Sequence, residues 1–114
     1  MDELATRKCS ACRADAPPVT PAQLEELLAQ LPQWQLIEVD GVKQLSRVYL
    51  CHDFLGAMAL AEKVAALAEQ ENHHPSLLVE WGKLTVRWWT HKINGLHEND
   101  FVMAARTERL FIAL

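Results

Sequence analysis

Residues 72–91 read NHHPSLLVEWGKLTVRWWTH, two apolar-rich runs on either side of Gly82-Lys83. The content of Val, Leu and Trp marks both runs as strands, and glycine in the first position of a two-residue connection suits a type II′ hairpin turn. Such a turn sets Trp81 opposite Leu84 and, followed outward, His74 opposite His91, with Cβ atoms about 4.5–5.5 Å apart. Alternation sends Leu77, Val79, Trp81, Leu84, Val86 and Trp88 to one face, the core. Ser76, Glu80, Thr85, Arg87 and Trp89 go to the other with His74 and His91. Pro75 has no N–H to donate, so the ladder weakens just before His74. His73 sits between a helix end and the strand, free of the alternation, and can turn toward the same cleft. Imidazole accepts or donates a proton near pH 7, so three of them at one place support general acid–base chemistry.

Outward from the hairpin, the chain reads as helices and strands in turn. Before it, residues 54–70 (FLGAMALAEKVAALAEQ) carry Phe54, Ala57, Met58, Ala61, Val64, Ala65 and Ala68 on one helical face. Asp53 is placed to cap that helix, and Asn72 with Pro75 to end it. Residues 34–50 (WQLIEVDGVKQLSRVYL) make two strands around Asp40-Gly41, a dipeptide suited to the positive φ angles of a tight hairpin. Thr20, Pro21 and Gln23 announce a capped helix with Leu24, Leu27, Leu28 and Leu31 as its stripe, closed by Pro32. After the hairpin, a last helix from His97 or Glu98 carries Phe101, Ala104, Ala105, Leu110 and Ile112. The order α-β-β-α-β-β-α predicts an α+β domain: a four-stranded antiparallel sheet with three helices packed on one face.

A chain of 114 residues has room for one hydrophobic core. The double proline at 17–18 and the missing apolar period before it divide the sequence into a flexible arm, residues 1–19, and a single domain, residues 20–114. A net charge of −4 offers no broad basic surface for phosphate backbones, which argues against direct nucleic-acid binding. No stretch is apolar for the length of a membrane span, and the N-terminus has no secretory pattern. The three cysteines cannot all pair within one chain; a cytoplasmic, reducing setting is expected. Cys9-x-x-Cys12 has half the spacing of a zinc site, but zinc needs four ligands and no second such pair exists, so a tail without metal is the simpler reading.

From Trp34 to the C-terminus the chain resembles the pterin-4a-carbinolamine dehydratases. The resemblance rests on Glu69-x-x-x-His73-His74-Pro75, the tryptophan strand, Thr90-His91 and Asp100. It implies the fold above, assembled as a homodimer or homotetramer, and the dehydration of 4a-hydroxytetrahydrobiopterin to the quinonoid dihydropterin without a metal or other cofactor. That reaction recycles the pterin of aromatic amino-acid hydroxylases, so functional coupling to such an enzyme is implied as well. By the same match His73, His74 and His91 are the catalytic trio, one protonating the leaving hydroxyl and another taking a proton from the ring nitrogen. Trp89, Thr90, His91 and Lys92 would present backbone groups to the pterin beside Asn72. Glu69 and Asp100 would orient a histidine or the substrate, and Trp34 would close the pocket. Three positions depart from the family pattern: Asn72 where many relatives are acidic, Leu77 where animal members have an aromatic residue, and Asn99 where a basic residue precedes the aspartate. All three bear on substrate affinity and side-chain preference. The family also includes a dimerisation cofactor of a homeodomain transcription factor, and related pterin-binding proteins act near molybdopterin metabolism; these are the alternative roles. Outside the site, Trp81 and Trp88 read as core aromatics, and His52 and His97 as surface or capping residues.

Overall fold

The computed structural model describes residues 3–6 and 18–113. Its elements run α1 (Glu3–Thr6), α2 (Pro21–Ala29), β1 (Gln35–Val39), β2 (Val42–Leu50), α3 (Phe54–Glu71), β3 (Ser76–Glu80), β4 (Lys83–Trp88), a 3-10 turn (His91–Ile93) and α4 (Glu98–Ile112). All strand pairs are antiparallel and the sheet order is β1-β2-β4-β3. The α+β architecture expected from the sequence is the one observed. Cys9 and Cys12 lie outside the described residues.

The local signals act where the sequence places them. Thr20 Oγ1 accepts the Gln23 N–H while Gln23 reaches back to the Thr20 N–H, a complete capping box at the start of α2. Asp53 caps α3 by accepting the Gly56 N–H at 2.7 Å. Between β1 and β2, Asp40 (φ 51°) and Gly41 (φ 80°) form the two-residue turn, with Val39 paired to Val42.

The second hairpin differs from expectation. Glu80 pairs with Lys83, so the turn residues are Trp81 and Gly82, with a positive φ of 73° at Gly82 alone, the position where a type II turn requires it. The cause is long-range. The Gly82 carbonyl accepts the Cys51 N–H at 2.8 Å and Lys83 pairs with Leu50, so β2 draws Lys83 into the ladder. Trp81, expected in the core, therefore stands at the tip, 72% exposed. The shift moves each residue by two places against its partner, which preserves the alternation of faces. Leu84, Val86 and Trp88 remain on the core side, all fully buried.

That core side, with Leu45 and Tyr49 of β2, is covered by α3 through Ala57, Leu60, Ala61, Val64 and Ala68, and by α4 through Phe101, Val102, Met103, Ala104 and Ala105. α3 lies against β3 and β4, α4 against β2 and β4, and α2 rests on α4. The opposite face exposes Val48, Leu50 and Leu78. Within the segment read as an arm, α1 buries Leu4 and Ala5 against α4, and the Arg106 Nε–H donates to the Ala5 carbonyl at 3.0 Å. A single helical turn with two adjacent apolar residues has no period to detect. Among the described residues, no helix is long and apolar enough to cross a membrane.

Candidate active site

A cavity of about 280 Å³ opens where the C-terminus of α3 meets the end of β4, lined by Asn72, His73, His74, Thr90, His91 and Lys92. Its size is near the lower end for small-molecule sites, suited to a compact ligand. All six lining residues come from two junctions in the chain, and each junction is shaped by a residue in the left-handed conformation.

The first is Asn72, with φ 52° and ψ 42°. Asparagine tolerates this region, and here it ends α3: the Asn72 N–H bonds to Glu69 O and the His73 N–H to Ala68 O, the paired bonds of a Schellman motif. The chain reverses there, aiming His73 inward and His74 outward before β3 begins at Ser76. The second junction follows Trp88. Thr90 and Gly95 exchange backbone hydrogen bonds, and Asn94 (φ 48°) closes the small loop between them, which carries His91 and Lys92 on the 3-10 turn.

This geometry corrects the strand expected to run through His91. β4 stops at Trp88, and the ladder ends with Ser76 paired to Arg87, so His74 is not cross-strand to His91. The two still meet: His91 Nε2 lies 3.0 Å from the His74 carbonyl oxygen. A carbonyl only accepts, so His91 Nε2 carries the proton, and the lone pair of its neutral ring is on Nδ1.

The three histidines have different surroundings. His73 is 4% exposed, and its Nε2 lies 2.7 Å from Asp100 Oδ1. Asp100 is fully buried at the first turn of α4, where its Oδ2 accepts the Thr90 hydroxyl at 2.8 Å and the His97 N–H at 2.9 Å. A buried carboxylate needs this many donors to offset desolvation. The same carboxylate thus closes the cap of α4 and assigns the proton of a neutral His73 ring to Nε2. His74 Nε2 lies 2.6 Å from Glu69 Oε2, but their side chains are 50% and 77% exposed, so solvent screens the pair. His91 packs against the half-buried indole of Trp89, ring centroids 4.3 Å apart.

The sequence-derived site residues therefore separate into groups. His73, His74, His91, Asn72, Thr90 and Lys92 line the cavity. Glu69, Asp100 and Trp89 stand behind it, each holding one histidine. Trp34 is elsewhere: its Nε1–H donates to Glu108 at 2.9 Å, and its ring meets Tyr49 edge-on in a cluster with Arg47, which also pairs with Glu108. Burial pushes the Tyr49 phenol up, keeping it protonated there.

Two residues read as lying outside the site support it, the first of them, His97, in the capping role that was one of its two readings. His97 is buried as the N-cap of α4, its Nδ1 accepting the Asn99 N–H at 3.1 Å. Burial pushes its imidazole below the ordinary value, which matches an acceptor that must stay unprotonated. An x-x-acid pattern after His97 was the available signal, since Asp100 completes a capping box. Trp88, read as core, lies parallel to the His73 ring at 5.7 Å between centroids. No local pattern foretells that contact. Among the described residues, no group of three His, Cys, Asp or Glu side chains converges as a metal site.

Comparison with known proteins places the chain in a family. The family model described as pterin 4 alpha carbinolamine dehydratase matches residues 17–110. A protein of Marinobacter nauticus named as a pterin-4-alpha-carbinolamine dehydratase is 59% identical over 111 residues, spanning 97% of this chain and all of its own length. Among solved structures, a transcriptional coactivator/pterin dehydratase from Brucella melitensis superposes with a TM-score of 0.74 at 30% identity, over 82% of this chain and 98% of its own.

Proposed function

Because this chain belongs to the pterin 4 alpha carbinolamine dehydratase family, we propose that it dehydrates a pterin carbinolamine in the cavity between α3 and the 3-10 turn. The observation that carries the site assignment is the convergence of His73, His74 and His91 on one cavity. Dehydration of 4a-hydroxytetrahydrobiopterin moves two protons: one reaches the departing 4a-hydroxyl, which leaves as water, and one departs from the adjacent ring nitrogen as the C=N bond forms. Both ends need a group that titrates near neutrality, and histidine supplies either form.

The roles follow from the partners. His91, with its proton fixed on Nε2 by the His74 carbonyl, offers Nδ1 as the base for the ring nitrogen. His74, its ring oriented by the Glu69 carboxylate at Nε2, is the proton donor to the hydroxyl, the role left once His91 serves as the base. His73, buried and held by Asp100, forms the cavity's inner wall and orients the substrate between them. Asn72, Thr90 and Lys92 supply the polar contacts to the heterocycle, and Trp89 keeps the His91 ring in place. General acid–base assistance contributes roughly 10²–10⁴ in rate, and positioning by the remaining lining residues supplies the rest.

The proposal includes recycling of a hydroxylase's pterin cofactor, a cytoplasmic setting in keeping with the free thiol of Cys51, and a homo-oligomer. Exposed Val48, Leu50 and Leu78 on the open sheet face, with Leu55 and Met58 at the start of α3, favour self-association. Light scattering would report the assembly directly. The activity is tested by stopped-flow absorbance on 4a-hydroxytetrahydrobiopterin with wild type, His73→Ala, His74→Ala and His91→Ala. We expect each variant to lose about 10²-fold or more in kcat. Variants as fast as wild type would remove the histidines from the mechanism, and a wild type no faster than buffer would remove the activity.

A further inference from the structure

Asp100 Oδ1 lies 2.7 Å from His73 Nε2, a contact that fixes where this nitrogen sits. A flat surface against the ring acts on a different coordinate, the tilt of its plane. Trp88 lies against His73 with only 10° between the two ring planes and 5.7 Å between centroids, an offset stack. The indole is fully buried and cannot follow a moving imidazole, because its Nε1–H donates to Thr107 Oγ1 at 3.1 Å, and that hydroxyl donates in turn to the Met103 carbonyl at 2.7 Å. Thr107 and Met103 belong to α4, as does Asp100. The helix that supplies the carboxylate therefore also anchors the aromatic surface beneath the ring.

We propose that Trp88 is a positioning residue for the reaction: stacked under His73 and tied to α4 through Thr107, it fixes the tilt of the imidazole at the cavity wall while Asp100 fixes the place of its Nε2. The inference rests on the functional reading of His73 given above. Catalytic groups need to be held within about 10–20° of the productive orientation. An aliphatic side chain fills the volume under the ring without setting such an angle; a flat one sets it. Adjacent in sequence, Trp88 and Trp89 each contact a different histidine of the cavity, His73 and His91.

The test compares Trp88→Leu, which removes the flat surface, with Trp88→Phe, which keeps an aromatic face while giving up the bond to Thr107 and part of the indole's volume. Each is made in wild type and in a His73→Ala background, with folding verified by circular dichroism. Trp88→Leu is expected to lower kcat about tenfold or more with KM nearly unchanged, whereas Trp88→Phe stays within about threefold of wild type. In the His73→Ala background, Trp88→Leu is expected to have no further effect. The ring-proton resonances of His73, shifted upfield by the indole, move downfield in the leucine variant and stay close to wild type in the phenylalanine one. Equal losses for leucine and phenylalanine, or the same leucine penalty with and without His73, would overturn the proposal, since Trp88 would then act through the fold alone. If His73→Ala itself turns over at the wild-type rate, the functional reading of His73 fails. The NMR comparison still decides whether Trp88 sets the ring's orientation.

Discussion

Replacing Asp100 with asparagine separates what its carboxylate does for the helix from what it does for the histidine. The side chain accepts three hydrogen bonds, from His73 at Oδ1 and from Thr90 and the His97 N–H at Oδ2. Asparagine's one oxygen can keep the two contacts at Oδ2, which turns the amide NH₂ toward His73 Nε2. The imidazole must then present a lone pair at Nε2 and carry its proton on Nδ1, the reverse of the wild-type tautomer. Hydrogen bonds to a charged group are worth about 1 kcal/mol more than neutral ones, so three of them give a destabilisation of about 3 kcal/mol. Against a typical stability of about 5–15 kcal/mol the variant stays folded. Its kcat is expected to fall by about 10² or more, with KM little changed because Asp100 lies behind the cavity wall rather than in it. Urea unfolding measures the first quantity and stopped-flow turnover the second. A variant that is destabilised as computed yet keeps kcat within about threefold of wild type would refute the argument that the proton position on His73 matters.

Two further outcomes follow from the same partners. Burial holds the His97 imidazole below its ordinary pKa, so on acidification the unfolded chain takes up this proton before the folded one does. The stability that depends on a neutral His97 is complete above about pH 6.5 and is lost as pH falls below it. His97→Asn keeps a capping acceptor that does not titrate, and its unfolding free energy should decline less than that of wild type between about pH 7.5 and pH 5.5; parallel declines would exclude His97 as a source of the slope. For the exposed His74–Glu69 pair, Glu69→Gln should move the unfolding free energy by no more than about 0.5 kcal/mol while lowering kcat. A shift of several kcal/mol would mean that the contact is structural.

Most of the scaffold could be read from neighbours in sequence because its signals are local. Thr20 with Gln23, Asp53, Asp40-Gly41 and Asn72 each settle a boundary with atoms only a few residues away. The second hairpin could not be read this way, because Gly82 suits either turn and the choice was made by Cys51, thirty-one residues earlier in the chain. His91 was found for a reason that did not hold. The ladder expected to bring it to His74 stops short, and the Thr90–Gly95 loop delivers it instead. Asp100 could be tied to the site only by resemblance, since its partner His73 arrives from the end of another helix. Trp34 and Leu4 depend wholly on tertiary packing, against Tyr49 with Glu108 and against α4.

That one carboxylate both starts α4 and grips His73 has a consequence for how the protein fails. Fraying of the first turn of α4 releases the imidazole at the same moment, so loss of turnover on warming should coincide with amide exchange at Asn99 and Asp100 and precede collapse of the sheet. Sequence drift at this position is constrained twice over, once by folding and once by chemistry.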